Sequence, residues 1–330
     1  MAYLNDRMNL YKPTDENIWT GRKTDQDLYV YQKVTQIDLE LQNVPVSEEK
    51  SFVFLGYECD EGVKRNKGRL GTKEGPRAAR RQLAKLPHHL SESIAVFDAG
   101  NVICIGDDME NAQSILANKV AQILSNKGTP LLLGGGHDMA YGHFNGIREF
   151  VGNDQKIGIV NLDAHFDLRS NENGNNSGTP FYQIGMDSFK DGNLDLSYLC
   201  LGIRNDANDR LLFQRAREWD VKYIEAELFH KQNTSYVINK INEFCKEVDF
   251  VYLTIDLDGF SSAFAPGVSA ASPMGFSIDI ALVVLDTLIT TNKLISADVA
   301  ELNPTYDKDD QTAKLAASLL HFIIHKVALL

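Results

Sequence analysis

Eight short apolar runs alternate with longer amphipathic stretches from residue 51 to the end of the chain, and this rhythm narrows the fold more than any other feature. The runs span residues 51–57, 93–100, 129–136, 156–165, 196–203, 220–224, 249–258 and 293–302. Several are apolar on both faces, as in parallel strands covered by helices on both sides. The stretches between them predict helices over 76–86, 108–125, 208–218, 235–247, 278–290 and 312–328. Such a βαβα order argues for a doubly wound parallel sheet. No internal repeat or linker interrupts it, so residues 51–330 are expected to form one domain, with residues 1–50 as an extension packed on it. A helix is predicted over 25–41. Glycine- and asparagine-rich segments at 60–75 and 170–178 read as long loops, which in a compact α/β domain commonly carry function.

Composition excludes several classes. Hydrophobic residues make up 43% and charged residues 24%, so the chain is neither wholly disordered nor fibrous. Lys and Arg number 33 against 45 Asp and Glu, a net charge of −12, which argues against a nucleic-acid partner. No run of about 18 apolar residues predicts a membrane span. The opening MAYLNDRMNLYK carries charges and no apolar signal core. Cys59, Cys104, Cys200 and Cys245 have no metal or redox spacing and sit in largely apolar stretches, which suits reduced thiols in a cytoplasmic protein.

Three motifs carry the chemistry. In NLDAHFD (161–167), a continuing strand would put Asp163, His165 and Asp167 on one face, successive members about 6.6 Å apart. In TIDLD, Asp256 and Asp258 repeat that pattern. In LLLGGGHD (131–138), His137 follows three glycines, and neither a phosphate loop nor a dinucleotide fingerprint is matched. Asp138 reads as a helix cap or first-turn acid. Ligands of open α/β sheets collect beyond the carboxyl ends of the strands, where all three motifs fall. A lone DxD is no more than a turn; DxHxD and DxD on two strands with a histidine on a third make a site. Four clustered aspartates repel one another, and two divalent ions balance them. Oxygen-rich donors with two histidines and no thiolate suit manganese better than structural zinc.

GGGHD (134–138), DAHFD (163–167), DLD (256–258), AELNP (300–304) and EGPRAAR (74–80) together resemble the ureohydrolase superfamily, which includes arginase and agmatinase. Within it, DLR (167–169), SGTPF (177–181), IDLDGF with APGVSA (255–260 and 265–270), IWTGR (18–22) and DDQTAKLAA (309–317) are most similar to the formimidoylglutamase branch. The resemblance implies a three-layer α/β/α domain around an eight-stranded, mostly parallel sheet. It implies two Mn2+ per chain: His137 and Asp167 on one ion, His165 and Asp258 on the other, Asp163 and Asp256 bridging. It also implies a homo-oligomer.

The implied reaction is hydrolysis of N-formimino-L-glutamate to L-glutamate and formamide in histidine breakdown, by metal-generated hydroxide attacking the amidine carbon. Asp167 would shuttle the proton to the departing amine and Glu301 would pair with the amidinium. Arg169 and Arg204 are placed to take the substrate carboxylates. The alternative is a guanidine or amidine hydrolase of the arginase–agmatinase type acting on another carboxylated substrate. Against it, arginase-like members carry a histidine where this chain has Phe181. Residues 60–77 carry six cationic side chains against three acids, a candidate basic cover over the site. His321 and His325 lack the glutamate of a zinc-protease helix and read as packing or interface residues.

Overall fold

In the computed structural model, residues 10–47, 49–152, 154–190 and 196–330 are described; the first nine residues, with most of the opening segment read above, lie outside them. All eight predicted runs are strands. In chain order the strands are β1 (Tyr11–Lys12), β2 (Val34–Gln36), β3 (Ser51–Glu58), β4 (Ala95–Ile103), β5 (Gly128–Gly134), β6 (Ile157–Leu162), β7 (Tyr198–Ile203), β8 (Lys222–Glu225), β9 (Phe250–Asp256) and β10 (Leu294–Ala300). They form one ten-stranded sheet in the order β1-β4-β3-β5-β10-β9-β6-β7-β8, with β2 also on β4. Only the β1–β4 pair is antiparallel. The predicted eight-stranded parallel sheet is therefore present, widened at one edge by two short strands from the N-terminal segment.

The strands bury both faces. Phe52 and Phe54 of β3 point into one apolar cluster and Val53 and Leu55 into another. The first cluster is roofed by α3 (Gly75–Leu83), α8 (Thr234–Lys246), α9 (Ile278–Thr290) and α10 (Gln311–Ala328). The second is roofed by α4 (Met109–Ser125), α5 (Met139–Val151), α6 (Pro180–Lys190) and α7 (Arg210–Glu218). Three layers result, as two-sided apolar strands require.

Two expectations need correction. The helix predicted over 25–41 is only the single turn α1 (Val30–Lys33), and the chain then extends as β2, pairing Val34 and Thr35 with Val96 and Phe97. β-Branched residues beside an open sheet edge favour that pairing over helix. The segment 60–75 is not all loop: it contains α2 (Glu61–Arg65) and a 3-10 turn at Thr72–Glu74.

The N-terminal segment is tied to the domain by a buried ion pair. Arg80 of α3 meets Asp98 of β4 through two hydrogen bonds of 2.8 and 2.9 Å, and the Trp19 indole donates to the same carboxylate at 2.6 Å. Anchored in this way, α3 presses its first residue on the loops of the site. A Cβ at Gly75 would lie 2.6 Å from the Leu302 carbonyl oxygen and 2.7 Å from that of Gly134, so only glycine fits.

Candidate metal centre

Four neighbouring strands, β5, β10, β9 and β6, end at the same sheet edge, and each delivers part of one acidic cluster. β5 leads to His137, β6 to Asp163, His165 and Asp167, β9 to Asp256 and Asp258, and β10 to Glu301. The extended alternation expected for residues 163–167 is not what gathers them. β6 stops at Leu162, and the chain turns away with Asp167 in the left-handed region at φ 48°. Asp258 likewise sits in a 3-10 turn, Leu257–Gly259. The acids hold these turns themselves: Asp163 accepts the His165 N–H at 2.7 Å and Asp256 that of Asp258 at 2.8 Å.

The geometry forms two groups sharing Asp163. His137 Nδ1 lies 2.9 Å from Asp167, 3.1 Å from Asp256 and 3.4 Å from Asp163. His165 Nδ1 lies 3.3 Å from both Asp163 and Asp258. One Asp163 oxygen faces each histidine. Asp256, expected as a second bridge, falls in the first group by its Oδ2.

Although three carboxylate oxygens surround it, His137 Nδ1 makes no hydrogen bond among the described residues, and Asp258 Oδ1 and Glu301 Oε2 are likewise buried without partners among them. Three carboxylate oxygens 2.9–3.4 Å from one ring nitrogen, with all donor atoms of the group within 4.8 Å of one another, are spaced as the ligands of one cation are. Hydrogen bonding does not explain such an arrangement; a cation does.

The electrostatics agree. Burial pushes the Asp256 and Glu301 carboxyls well up, with neighbouring acids adding to it, and pushes Asp258 up to about 6. Burial opposes the imidazolium form of His137 and His165, but the surrounding aspartates together outweigh it and raise both well above the usual range. For Asp163 burial is also the largest single influence, yet its two histidines prevail and hold the carboxyl down.

Glu301 closes the floor of the site. Its backbone is left-handed, φ 65°, fixed by N–H donation to the Gly135 carbonyl at 2.9 Å, and its Oε1 accepts the His137 N–H at 2.9 Å. Its Oε2 remains free. A cavity of about 330 Å³ opens above, lined by His137, His165, Asp167, Asp256, Asp258 and Glu301, with Lys67, Arg69 and Arg169 among its walls.

The predicted cations separate. Arg169 lines the cavity, and its side chain has no hydrogen bond or ion pair among the described residues. Arg204 is not brought to the cavity wall; its guanidinium forms a two-point pair with Asp206 at 2.6 and 3.0 Å. Among the basic residues of 60–77, Lys64 and Arg65 pair with Glu61, and Arg69 is held by the Ser269 and Val268 carbonyls. Of the six cations counted there, Lys67, left-handed at φ 62°, lines the cavity beside Arg69, as do Asn66, Ser177 and Ser269, which sequence reasoning did not single out. Asp138 is not a side-chain cap: it is buried, accepts the Tyr57 hydroxyl at 2.9 Å, and burial pushes its carboxyl well up. Phe181 packs edge-on against the His137 ring, centroids 5.4 Å apart.

A sequence model of the arginase family matches residues 50–325. The chain belongs to the arginase family. A relative in Geobacillus kaustophilus, named formimidoylglutamase, is 39% identical over 322 residues, covering 95% of this chain and 98% of its own. The crystal structure of formimidoylglutamase from Bacillus subtilis has a similar fold, with a TM-score of 0.81 at 21% identity over 93% of this chain and 94% of that one. Trypanosoma cruzi formiminoglutamase, crystallised with two Mn2+, gives a TM-score of 0.73 at 22% identity over 86% and 96% of the two chains. No helix among the described residues of this arginase-family chain is long and apolar enough to cross a membrane.

Proposed function

We propose that this chain hydrolyses the amidine C–N bond of N-formimino-L-glutamate, consuming one water and releasing L-glutamate and formamide. One observation carries the reading: a cluster of five buried carboxylates opens into a cavity whose wall carries Lys67 and Arg169, neither side chain with an ion pair among the described residues. A small amidine bearing two carboxylates matches both halves, and the name of the 39%-identical relative supports the same substrate.

Two Mn2+ fit the donors. His137 and Asp167 would hold one, His165 and Asp258 the other, with Asp163 and Asp256 completing the set. When bound, the manganese pair supplies the acidified water that hydrolysis near neutral pH requires. The chain's own residues do the rest. Glu301 Oε2 pairs with the amidinium at the cavity floor, where burial strengthens the attraction. Asp167, at the cavity surface beside His137, carries the proton to the departing amine. Phe181 covers the His137 ring with carbon and offers no proton. Arg169 takes a substrate carboxylate in a two-point contact, whereas Arg204 reaches substrate only by giving up Asp206. We read residues 1–50 as an extension of the single hydrolase domain, and the protein as a cytoplasmic homo-oligomer without nucleic-acid or membrane partners.

Arg169→Ala is expected to lower kcat/KM for formiminoglutamate by about 10²-fold, the cost of one charged, desolvated contact of ~2–3 kcal/mol, chiefly through KM. Arg204→Ala changes it far less. Steady-state kinetics of the two variants check this, and equal losses contradict it. A substrate panel tests the function itself: glutamate release from formiminoglutamate without urea release from arginine or agmatine supports it, and the reverse sinks it.

A further inference from the structure

Behind His137, on the side away from the carboxylate cluster, lies a sealed chain of polar side chains that the proposed reaction does not use. His137 Nε2 is 2.9 Å from the Thr254 hydroxyl, which is 2.6 Å from Asp298 Oδ1. The other Asp298 oxygen meets His143 Nδ1 at 2.6 Å and the Tyr252 hydroxyl at 2.5 Å. His143 Nε2 is 2.6 Å from the Ser296 hydroxyl, itself 2.8 Å from the Pro130 carbonyl oxygen. All of these side chains are buried. An acid in the middle of the central strand β10 is expensive unless fully bonded, and Asp298 is.

Counting donors fixes the direction of every bond. The Pro130 carbonyl only accepts, so Ser296 spends its single proton there and accepts from His143 Nε2–H. A proton must then lie between His143 Nδ1 and Asp298 Oδ2, since two lone pairs cannot face each other at 2.6 Å. Whichever of the two holds it, Asp298 Oδ1 is left bare and accepts from Thr254. Thr254, its proton spent, accepts from His137 Nε2–H. A neutral His137 therefore has its lone pair on Nδ1, the atom that faces Asp163, Asp167 and Asp256.

We propose that Thr254, held by the Asp298–His143 pair, is a positioning residue that sets the tautomer and ring orientation of His137 and so tunes one of the two metal sites. Hydrogen-bonded outer partners of ligating histidines do this generally. The inference rests on the binuclear-metal reading above.

Mn2+ alone is the probe. It is titrated calorimetrically into metal-free wild type, Thr254→Val and Thr254→Ser, with free ion followed by EPR. Valine keeps the shape and β-branching of threonine within β9 but leaves both Asp298 Oδ1 and His137 Nε2–H unpaired. Wild type takes two ions; Thr254→Val should bind one of them about 10–100-fold more weakly, and Thr254→Ser should restore the affinity. Equal binding by Thr254→Val, or a serine variant as weak as valine, overturns the proposal. Wild type that binds no Mn2+ instead removes the metal reading on which it stands. Should Thr254→Val not fold, 15N NMR of wild type loaded with diamagnetic Zn2+ decides: a slowly exchanging proton on His137 Nε2 supports the proposal, and a proton on Nδ1 overturns it.

Discussion

Asp163→Asn lowers turnover by about a thousandfold and leaves the protein with no more than one tightly held ion. Among the described residues, Asp163 alone is found in both groups of candidate ligands, one oxygen toward each histidine. Asparagine fills the same volume but replaces one of the two carboxylate oxygens by an N–H2 group, which donates where a cation would sit. Losing an outer partner of a metal ligand costs about 10–100-fold, and losing one preorganised electrostatic contact in a transition state costs about 10²–10³-fold; a shared ligand does both. Kinetics together with metal content per folded chain measure it. A variant that keeps two ions and near wild-type turnover contradicts the shared-site geometry.

Removing the metal is expected to destabilise the fold increasingly as pH rises. Each ion present at about a thousand times its Kd adds ~4 kcal/mol, roughly 6 °C in Tm for a chain of 330 residues. The metal-free protein has a pH dependence of its own. Carboxyls whose folded pKa is raised contribute stability that is complete below their ordinary value near 4 and lost as pH climbs through the raised one, about 6 for Asp258. Asp256 and Glu301 act in the same sense. His137 and His165, also raised, lose their contribution as pH climbs beyond about 6.5 toward their folded values. Asp163 runs the other way, but its contribution fades only as pH falls below about 4. Between pH 5 and 8 the melting temperature of metal-free protein therefore falls, and its gap from the manganese-loaded protein widens. Calorimetric scans across that range test this; a constant or narrowing gap contradicts it.

The central strands were legible because they bury both faces, and short, mostly apolar runs announce that directly; β8, with Lys222 exposed, is the weaker signal of an edge strand. The metal cluster was legible for a related reason: His137, Asp163 and Asp256 follow such runs at once, where a charge cannot belong to the core. Distances along the chain misled where the backbone leaves regular geometry. Asp167 and Glu301 reach the site through left-handed turns, which no alternation pattern encodes. Arg204 and Arg169 look alike in sequence, and only the fold pairs one with Asp206 and leaves the other open to the cavity. Asp298 did leave a mark, an acid inside the apolar run of β10, but its meaning depends on Thr254 and His143 from two other elements.

The most direct measurement is product release from N-formimino-L-glutamate by protein reloaded with manganese. One formamide and one glutamate per substrate consumed, at two Mn2+ per chain, is the predicted result. Two bound ions with no turnover of this substrate, alongside cleavage of a guanidino compound, would contradict the assignment of an amidine dianion to the cavity.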